Sequence, residues 1–347
     1  MKRLKAVILP GIAVVTLVVL SLSGSTGASA TSLPQHIHGP ATCGVWSKVS
    51  SPNAGTSTNF LYGVAAISST DVWAVGEYSN GNGGLTLVEH WNGAHWKVVA
   101  SPNVNNSLSD SLSGVAAIAA NNVWAVGSYY DASNTQQTLI EHWDGAKWSI
   151  VQSQGMGGLN GVAAIASNDV WAVGSISVNN IQYLTEHWNG SSWSVVSSSG
   201  PGLVINILNG IAAISANNVW AVGDDADSAT PSAQYRPLIE HWNGSSWSVV
   251  TSPVKGTSDF LSGIAAVSAS NVWAVGNDRT ILDPYGPYFT FIEHWNGSAW
   301  RVIKSPSPGS ENNDLAAAAR VPATSRVWAV GFKQTNNIYQ TLAEFYC

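Results

Sequence analysis

The sequence predicts an all-β fold assembled from six copies of one unit of four short strands. The first observation is a repeat, because the pentapeptide VWAVG occurs six times at spacings of 47 to 55 residues. Its tryptophans are Trp73, Trp124, Trp171, Trp220, Trp273 and Trp328. The second observation is that the copies share their surroundings, with a small apolar segment such as GVAAI upstream and, in five copies, EHWNG or EHWDG downstream. Such a period is typical of repeat architectures.

Each unit contains four apolar runs that are too short for a stable helix and are bounded by Gly, Asn, Asp, Ser or Pro. The first run is the GVAAI segment, whose small side chains suit strands that converge around an axis. The second is VWAVG, the third ends at EHW, and the fourth begins at the tryptophan three residues after the turn glycine. Six units of four antiparallel strands predict a six-bladed β-propeller with the GVAAI strands innermost.

The connection between the third and fourth strands has a turn signature. An Asn-Gly or Asp-Gly pair supplies the two positive φ angles of a type I′ hairpin. This predicts tight turns at Asn92-Gly93, Asp144-Gly145, Asn189-Gly190, Asn243-Gly244 and Asn296-Gly297. Three of these pairs are followed by serine and are formally glycosylation sequons, although a turn accounts for both residues without a sugar.

The units resemble kelch repeats, which combine a strand ending in glycine, a strand with an aromatic residue, and a tryptophan-bearing strand followed by proline. The NGxxW hairpin is also similar to the Asp-box, with tryptophan where that motif has aspartate. The resemblance covers nearly all of residues 43–347 and implies a propeller of the secreted bacterial type. It is a resemblance of architecture, because VWAV is followed by one glycine where kelch repeats have two.

The last unit ends after its third strand. In TLAEFYC, Glu344 matches the glutamate of EHWNG, Tyr346 the tryptophan and Cys347 the asparagine. The missing fourth strand has a match at the other end of the chain, where CGVWSKVSSP carries Trp46 at the position of the last tryptophan and Cys43 at the turn glycine. We therefore expect the last blade to combine three C-terminal strands with one N-terminal strand.

The only two cysteines of the chain then occupy the two central positions of an opened hairpin turn. We expect a Cys43–Cys347 disulfide in place of the Asn-Gly turn, since paired cysteines are typical of exported proteins. Closing a loop of about 305 residues would stabilise the fold by up to roughly 5–6 kcal/mol in the chain-entropy model. The alternative is a redox-active or metal-binding pair of thiols.

The chain divides into a leader and one domain. Residues 1–30 predict a secretory signal peptide, in which basic residues precede an apolar run over 6–20 and the sequence ASA at 28–30 supplies a cleavage site. An uncleaved anchor is the alternative. Residues 31–42 form an N-terminal lead-in, and 43–347 a single propeller domain. We expect a secreted, extracellular protein.

Charge narrows the range of partners. Without the leader the chain has 11 basic and 20 acidic residues, a net charge of −9. This charge offers no electrostatic basis for binding nucleic acid or an anionic membrane. We expect a monomer without a cofactor, with a glycan or an extracellular protein as its partner.

The residues common to all units are interpreted as structural. The 17 tryptophans fall on repeat positions and are expected in the core. Five repeated histidines lie in different units, too far apart to form one metal site. The repeated glutamates are expected to pair with an indole N–H or the adjacent histidine, and they are Glu89, Glu141, Glu186, Glu240, Glu293 and Glu344.

Differences between the units predict where a partner binds. The connections after strands two and four emerge on one face and are long and varied, whereas those after strands one and three are short and uniform. Repeat proteins usually bind through such a variable face, which we call the variable-loop face. Its most distinctive patch mixes carboxylates, guanidiniums and phenols, a combination suited to hydroxyl-rich ligands, although ordinary solvated loops are the alternative. The patch comprises Asp224, Asp225, Asp227, Tyr235, Arg236, Asp278, Arg279, Asp283, Tyr285 and Tyr288.

These features favour a secreted, non-catalytic recognition or scaffold propeller that binds a glycan or a protein on the variable-loop face. The alternative is a carbohydrate-active enzyme, either a glycosidase with two spaced carboxylates or a sialidase-like enzyme using tyrosine and arginines of the same face. The sequence YRP at 235–237 is similar to the sialidase arginine motif. Calcium binding by DDADS at 224–228 is disfavoured, because the turn glycine and distal glutamate of a calcium loop are missing.

Overall fold

The computed structural model describes most of the predicted propeller domain. The described residues are 49–178, 180–198, 200–201, 204–229, 233–279, 287–321, 324–336 and 338–346. The predicted leader and lead-in, and with them Cys43, Trp46 and Cys347, lie outside these residues. Among the residues that are described, no helix is long and apolar enough to cross a membrane.

Strands alone make up the regular structure of the described chain. Repeat 1 contains β1 (Thr58–Ser68), β2 (Asp71–Ser79), β3 (Leu85–Trp91) and β4 (Trp96–Val98). Repeat 2 contains β5 (Ser109–Ala119), β6 (Asn122–Tyr130), β7 (Gln136–Trp143) and β8 (Trp148–Ile150). Repeat 3 contains β9 (Gly158–Ala166), β10 (Asp169–Val178), β11 (Asn180–Trp188) and β12 (Trp193–Val195). Repeat 4 contains β13 (Ile205–Ser215), β14 (Asn218–Ala226), β15 (Tyr235–Trp242) and β16 (Trp247–Val249). Repeat 5 contains β17 (Ser258–Ser268), β18 (Asn271–Arg279), β19 (Phe289–Trp295) and β20 (Trp300–Ile303). Repeat 6 contains β21 (Asn313–Arg320), β22 (Val327–Thr335) and β23 (Ile338–Tyr346).

The strands of each repeat pair antiparallel in the order in which they occur along the chain. The sheets of repeats 3 and 4 are joined by one parallel bridge, between Ile181 and Ile205. Consecutive repeats pack against each other through apolar faces, so that Trp73 and Val75 of repeat 1 share a cluster with Leu112 and Val123 of repeat 2. Antiparallel sheets stacked in this way are the blades of a β-propeller. The predicted all-β propeller fold is confirmed.

Glycine allows the first strands of neighbouring repeats to approach closely. A Cβ atom added to Gly63 would lie 3.2 Å from the Cα atom of Gly114, and one added to Gly114 would lie 3.2 Å from the Cα atom of Gly161. These backbones are therefore in van der Waals contact. The contact agrees with the placement of the GVAAI strands where the sheets converge.

Tryptophan side chains fill the interfaces between consecutive repeats. The indole of Trp73 stacks on His90 at a centroid distance of 4.3 Å and contacts Trp143 of repeat 2 at 5.0 Å. At the last such interface, Trp273 contacts Tyr346 at 4.2 Å. Tyr346 thus takes the place of the tryptophan, as the alignment of the last repeat predicts. The interpretation of the repeated tryptophans as core residues is confirmed for the first five members of the VWAVG set, which are 2–3% exposed, whereas Trp328 is partly buried.

The predicted type I′ turns are wrong. Trp91 pairs with Trp96, which leaves a loop of four residues, and only its glycine, Gly93, has a positive φ of 92°. The side-chain oxygen of Asn92 accepts hydrogen bonds from the N–H groups of Ala94 and His95, at 3.0 and 3.1 Å. Asparagine therefore works through its side chain, in an Asx-type turn, and needs no left-handed backbone. The other four turns share this geometry.

Candidate functional site

The repeated glutamates are buried and link neighbouring repeats. Their partner is a serine hydroxyl and not the predicted indole N–H or histidine, which corrects the interpretation of this set. Ser198, which follows the last strand of repeat 3, donates to Glu240 of repeat 4 at 2.7 Å, and Ser305, which follows that of repeat 5, donates to Glu344 at 2.8 Å. The remaining pairs are Ser51 with Glu89, Ser101 with Glu141, Ser153 with Glu186, and Ser252 with Glu293.

Burial raises the pKa of all six carboxyl groups. Desolvation raises the pKa of Glu141 and of Glu293 to about 8, and that of Glu240 to about 7, while the serine hydroxyl lowers each pKa in part. A neutral carboxyl can be buried at far lower cost than a carboxylate. The set is therefore structural, a hydrogen bond repeated from sheet to sheet.

The repeated histidines are also engaged within the fold. Nε2 of His90 lies 2.8 Å from Oδ1 of Asp71, and Nε2 of His142 lies 2.9 Å from Oδ1 of Asn122. Each of the five rings also packs on the VWAVG tryptophan of its own repeat. The part of the chain that is described contains no group of three potential metal-ligating side chains.

Three of the predicted site aspartates belong to the interior. Asp224 is buried on β14 and accepts a hydrogen bond from Asn209 Nδ2 at 3.0 Å, and burial raises its pKa to about 7. Asp225, next along the strand, forms an ion pair with Nε of Arg236 at 3.0 Å. Asp278 is fully buried and binds Lys255 Nζ at 2.6 Å.

Burial raises the pKa of both paired aspartates. For Asp225 this rise is opposed by the hydrogen bond and charge of Arg236, and for Asp278 by those of Lys255. These ion pairs fix the ends of the second strands. Asp227 is exposed in the loop after β14, while Asp283 and Tyr285 lie outside the described residues.

The remaining predicted residues come together on the variable-loop face. The ring of Tyr235 packs on Phe260 of the next repeat, with 4.8 Å between centroids. The guanidinium of Arg279 lies 4.4 Å from the ring centroid of Tyr288 and 5.9 Å from that of Phe260. All four side chains are partly exposed. We call Tyr235, Phe260, Arg279 and Tyr288 the Arg279 surface.

Sequence reasoning missed Phe260, because it shortly precedes the GIAAV segment of a strand that is expected in the interior. The signal that could have found it is the alternation of side chains along β17. Phe260 and Leu261 are adjacent and therefore point to opposite sides of the strand. Leu261 is fully buried while Phe260 is not. A large aromatic residue on the less buried side of a strand is available to a partner.

The Arg279 surface combines two recognition properties. Aromatic rings present flat apolar area with little conformational entropy to lose, and tyrosine adds a hydroxyl. The guanidinium of arginine carries N–H donors that suit hydroxyl or carboxylate oxygens, and it stacks on aromatic rings. The surface spans two repeats, so a ligand placed on it would contact both.

Comparisons with known proteins agree with the fold. No protein-family model and no curated protein sequence matches the chain. Among solved structures, the fucose-specific lectin from Aleuria aurantia matches with 15% identity and a TM-score of 0.50, over 82% of this chain and 91% of the lectin. An α-L-arabinofuranosidase from Fusarium graminearum matches with 11% identity and a TM-score of 0.53, over 82% of this chain and 92% of that enzyme. At these identities the likeness concerns the fold alone, that of a β-propeller.

Proposed function

We propose that this protein is a secreted, non-catalytic recognition propeller that binds a glycan or an extracellular protein on its variable-loop face. The observation that carries the proposal is the Arg279 surface, where two repeats contribute three aromatic rings and a guanidinium to one exposed area. Carbohydrate is the ligand class that this chemistry suits best. A sugar can pack its C–H face on the rings while its hydroxyls accept hydrogen bonds from Arg279.

Two ion pairs, each between a buried aspartate and a partly exposed basic side chain, support this role by holding the surface in place. Asp225 and Arg236 pair across strands β14 and β15, next to Tyr235. Lys255 binds Asp278, the residue before Arg279. A surface whose supporting residues are fixed loses little entropy when a ligand binds.

A glycan array with the mature protein tests the proposal. We expect binding of the wild type, and Arg279→Ala to weaken it at least about tenfold, the effect of losing one hydrogen bond to a charged group. Arg301→Ala is the matched control, since Arg301 is an exposed arginine on the outer strand β20. Equal binding by wild type and Arg279→Ala would contradict the assigned surface. If the wild type bound no arrayed glycan, a glycan would be excluded as the partner and an extracellular protein would be the remaining proposal.

A glycosidase is the second candidate, and Asp224 is the observation that favours it. A buried carboxyl group with a pKa of about 7 has the protonation behaviour of a general acid near neutral pH. If the wild type hydrolysed arrayed sugars and Asp224→Asn did not, the protein would be a glycosidase and the proposal of a non-catalytic binding module would be wrong.

We also propose that the six repeats close into a ring in which the N-terminal strand completes the last blade. Ser51 supports this, because it donates to Glu89 of repeat 1 as Ser305 of repeat 5 does to Glu344 of repeat 6. The chain thus enters repeat 1 in the way that other repeats are entered from a preceding fourth strand. Leu61 also supports closure. Its counterpart Leu112 packs against Trp73 and Val75 of the preceding repeat, and the five counterparts of Leu61 are at most 1% exposed, whereas Leu61 is 44% exposed. In a closed ring, repeat 6 would cover Leu61 in the same way.

The interface between repeats 5 and 6 gives the closure proposal a second support. Trp148 of repeat 2 packs edge-on against Trp73 at 5.4 Å, and three further interfaces have the same pair. Beside Trp273, the position that Trp148 occupies beside Trp73 is a cavity of about 470 Å³. Val327, Leu342 and Tyr346 are among the residues that line it. Trp46 is the sequence match to the indole that fills this place elsewhere.

Cys43 and Cys347 provide the test of closure. We expect peptide mapping of the exported protein without reductant to recover these two cysteines in one disulfide-linked peptide pair. Replacing both by serine is expected to lower the free energy of unfolding by up to about 5 kcal/mol, and reductant is expected to have no further effect on that variant. Recovery of two free thiols from the exported protein would contradict the proposed seam.

A further inference from the structure

A pocket on the variable-loop face of repeat 2 is separate from the Arg279 surface. It lies between the segment after β4, the end of β6, the start of β7 and the segment after β8. Its volume is about 360 Å³, which is within the range of small-molecule sites. The pocket contains no residue of the predicted site.

The described side chains that line this pocket carry no charge. Four of them are carboxamides, from Asn103, Asn105, Gln137 and Gln152, and the phenol of Tyr129 adds one aromatic ring. A carboxamide has both donors and acceptors, as has each hydroxyl group of a sugar. A charged ligand would find no opposite charge in this lining, so its desolvation would be uncompensated.

Part of the wall is fixed by hydrogen bonds within the fold. Asn103 Oδ1 accepts from the N–H of Thr86 at 2.9 Å, Gln137 Nε2 donates to Asp131 Oδ2 at 3.0 Å, and Thr138 donates to the carbonyl of Gly155 at 3.0 Å. Asn105 and Gln152 are exposed at the rim and take no part in these bonds. The pocket thus combines a fixed wall with two carboxamides that face solvent.

Repeat 5 shows what fills the corresponding place when the residues are charged. Asp278 stands where repeat 2 has Tyr129, two residues after the VWAVG glycine, and Thr290 corresponds to Thr138. Lys255 reaches into this place and donates to Asp278 Oδ1 at 2.6 Å and to the carbonyl of Thr290 at 3.3 Å. Repeat 2 has neither charge, and its pocket stays open.

We infer that this pocket binds one uncharged sugar residue. The carboxamides of Asn105, Gln137 and Gln152 exchange hydrogen bonds with its hydroxyls, and the ring of Tyr129 contacts its C–H face. The site is independent of the Arg279 surface. It gives the variable-loop face a neutral subsite in addition to the cationic, aromatic one.

Ligand-observed NMR and titration of the mature protein test this inference with glucose, galactose, mannose and N-acetylglucosamine as probes. Glucuronic acid and glucosamine serve as charged counterparts. We expect at least one neutral sugar to bind and the charged pair to bind more weakly. The double variant Asn105→Ala, Gln152→Ala is expected to weaken the neutral sugar about tenfold through lost hydrogen bonds.

Two control variants show whether sugar binding depends on this pocket. Gln154→Ala removes an exposed carboxamide two residues from Gln152 that does not line the pocket, and it should leave the affinity unchanged. Arg279→Ala should also leave it unchanged, which distinguishes this site from the proposed glycan surface. The inference is overturned if no neutral sugar binds, if the double variant binds as the wild type does, or if the charged sugars bind equally well.

Discussion

Alanine in place of Gly174 is expected to abolish folding or to lower the free energy of unfolding by more than about 4 kcal/mol. A Cβ atom at this position would lie 1.9 Å from the carbonyl oxygen of Gly158 on the neighbouring strand. The pairing of β9 with β10 shifts register here, between Val173 and Gly174. The obstacle is backbone and cannot move aside as a side chain could. All six VWAVG glycines face a backbone oxygen in this way, at 1.9–2.0 Å.

Gly81→Ala is the control for this experiment. Gly81 has a φ of +100° and no atom within 4 Å of an added Cβ, so alanine there adds backbone strain of about 1–2 kcal/mol without a collision. Chemical denaturation followed by circular dichroism would measure both variants. A Gly174→Ala protein as stable as Gly81→Ala would show that the strands can separate, contrary to the close contact of β9 with β10.

Stability is expected to fall as the pH rises from about 5 to 8, because the interface glutamates keep their protons in the folded protein after the same groups have ionised in the unfolded chain. The pKa values of Glu141 and Glu293 are raised from 4.5 to about 8, and that of Glu240 to about 7. Between these values and 4.5 the folded state holds protons that the unfolded state has lost. Their stabilising contribution is therefore complete below pH 4.5 and is lost as the pH rises through the folded-state pKa.

Comparison with Glu141→Gln isolates one of these groups. Glutamine has the shape of the protonated acid and cannot ionise. The folding equilibrium constant of the wild type, divided by that of this variant, should therefore fall roughly tenfold per pH unit over that range. The comparison is needed because burial lowers the pKa of His142, His241 and His294, which gives the opposite slope near pH 6.5.

Glu77→Gln, at a partly exposed glutamate on β2, is the control. Parallel curves for wild type and Glu141→Gln would show that this carboxyl is ionised in the folded protein.

Much of the fold could be predicted because the same sequence pattern occurs in every repeat. Runs bounded by glycine and asparagine mark the strands, and the alignment of the last repeat identifies Tyr346 as the substitute for a tryptophan, in agreement with its contact with Trp273. The partner of Glu141 could not be predicted. Ser101 lies 40 residues away in the preceding repeat, and no local pattern couples the two.

The candidate site shows the same division. The sequence alone indicated the variable-loop face and its mixture of charged and phenolic residues. Adjacent residues of a strand point to opposite sides, so Asp278 is buried against Lys255 while Arg279 reaches the surface.

The amino-acid sequence alone determined the repeat, the strands and the face with the long loops, because these depend on residues close together in the chain. Which side chains meet across two sheets, as Tyr235 meets Phe260, was decided only when the sheets packed. Local spacing sets the direction of a side chain within its own strand, whereas its neighbours from another repeat are set by the packing of whole sheets.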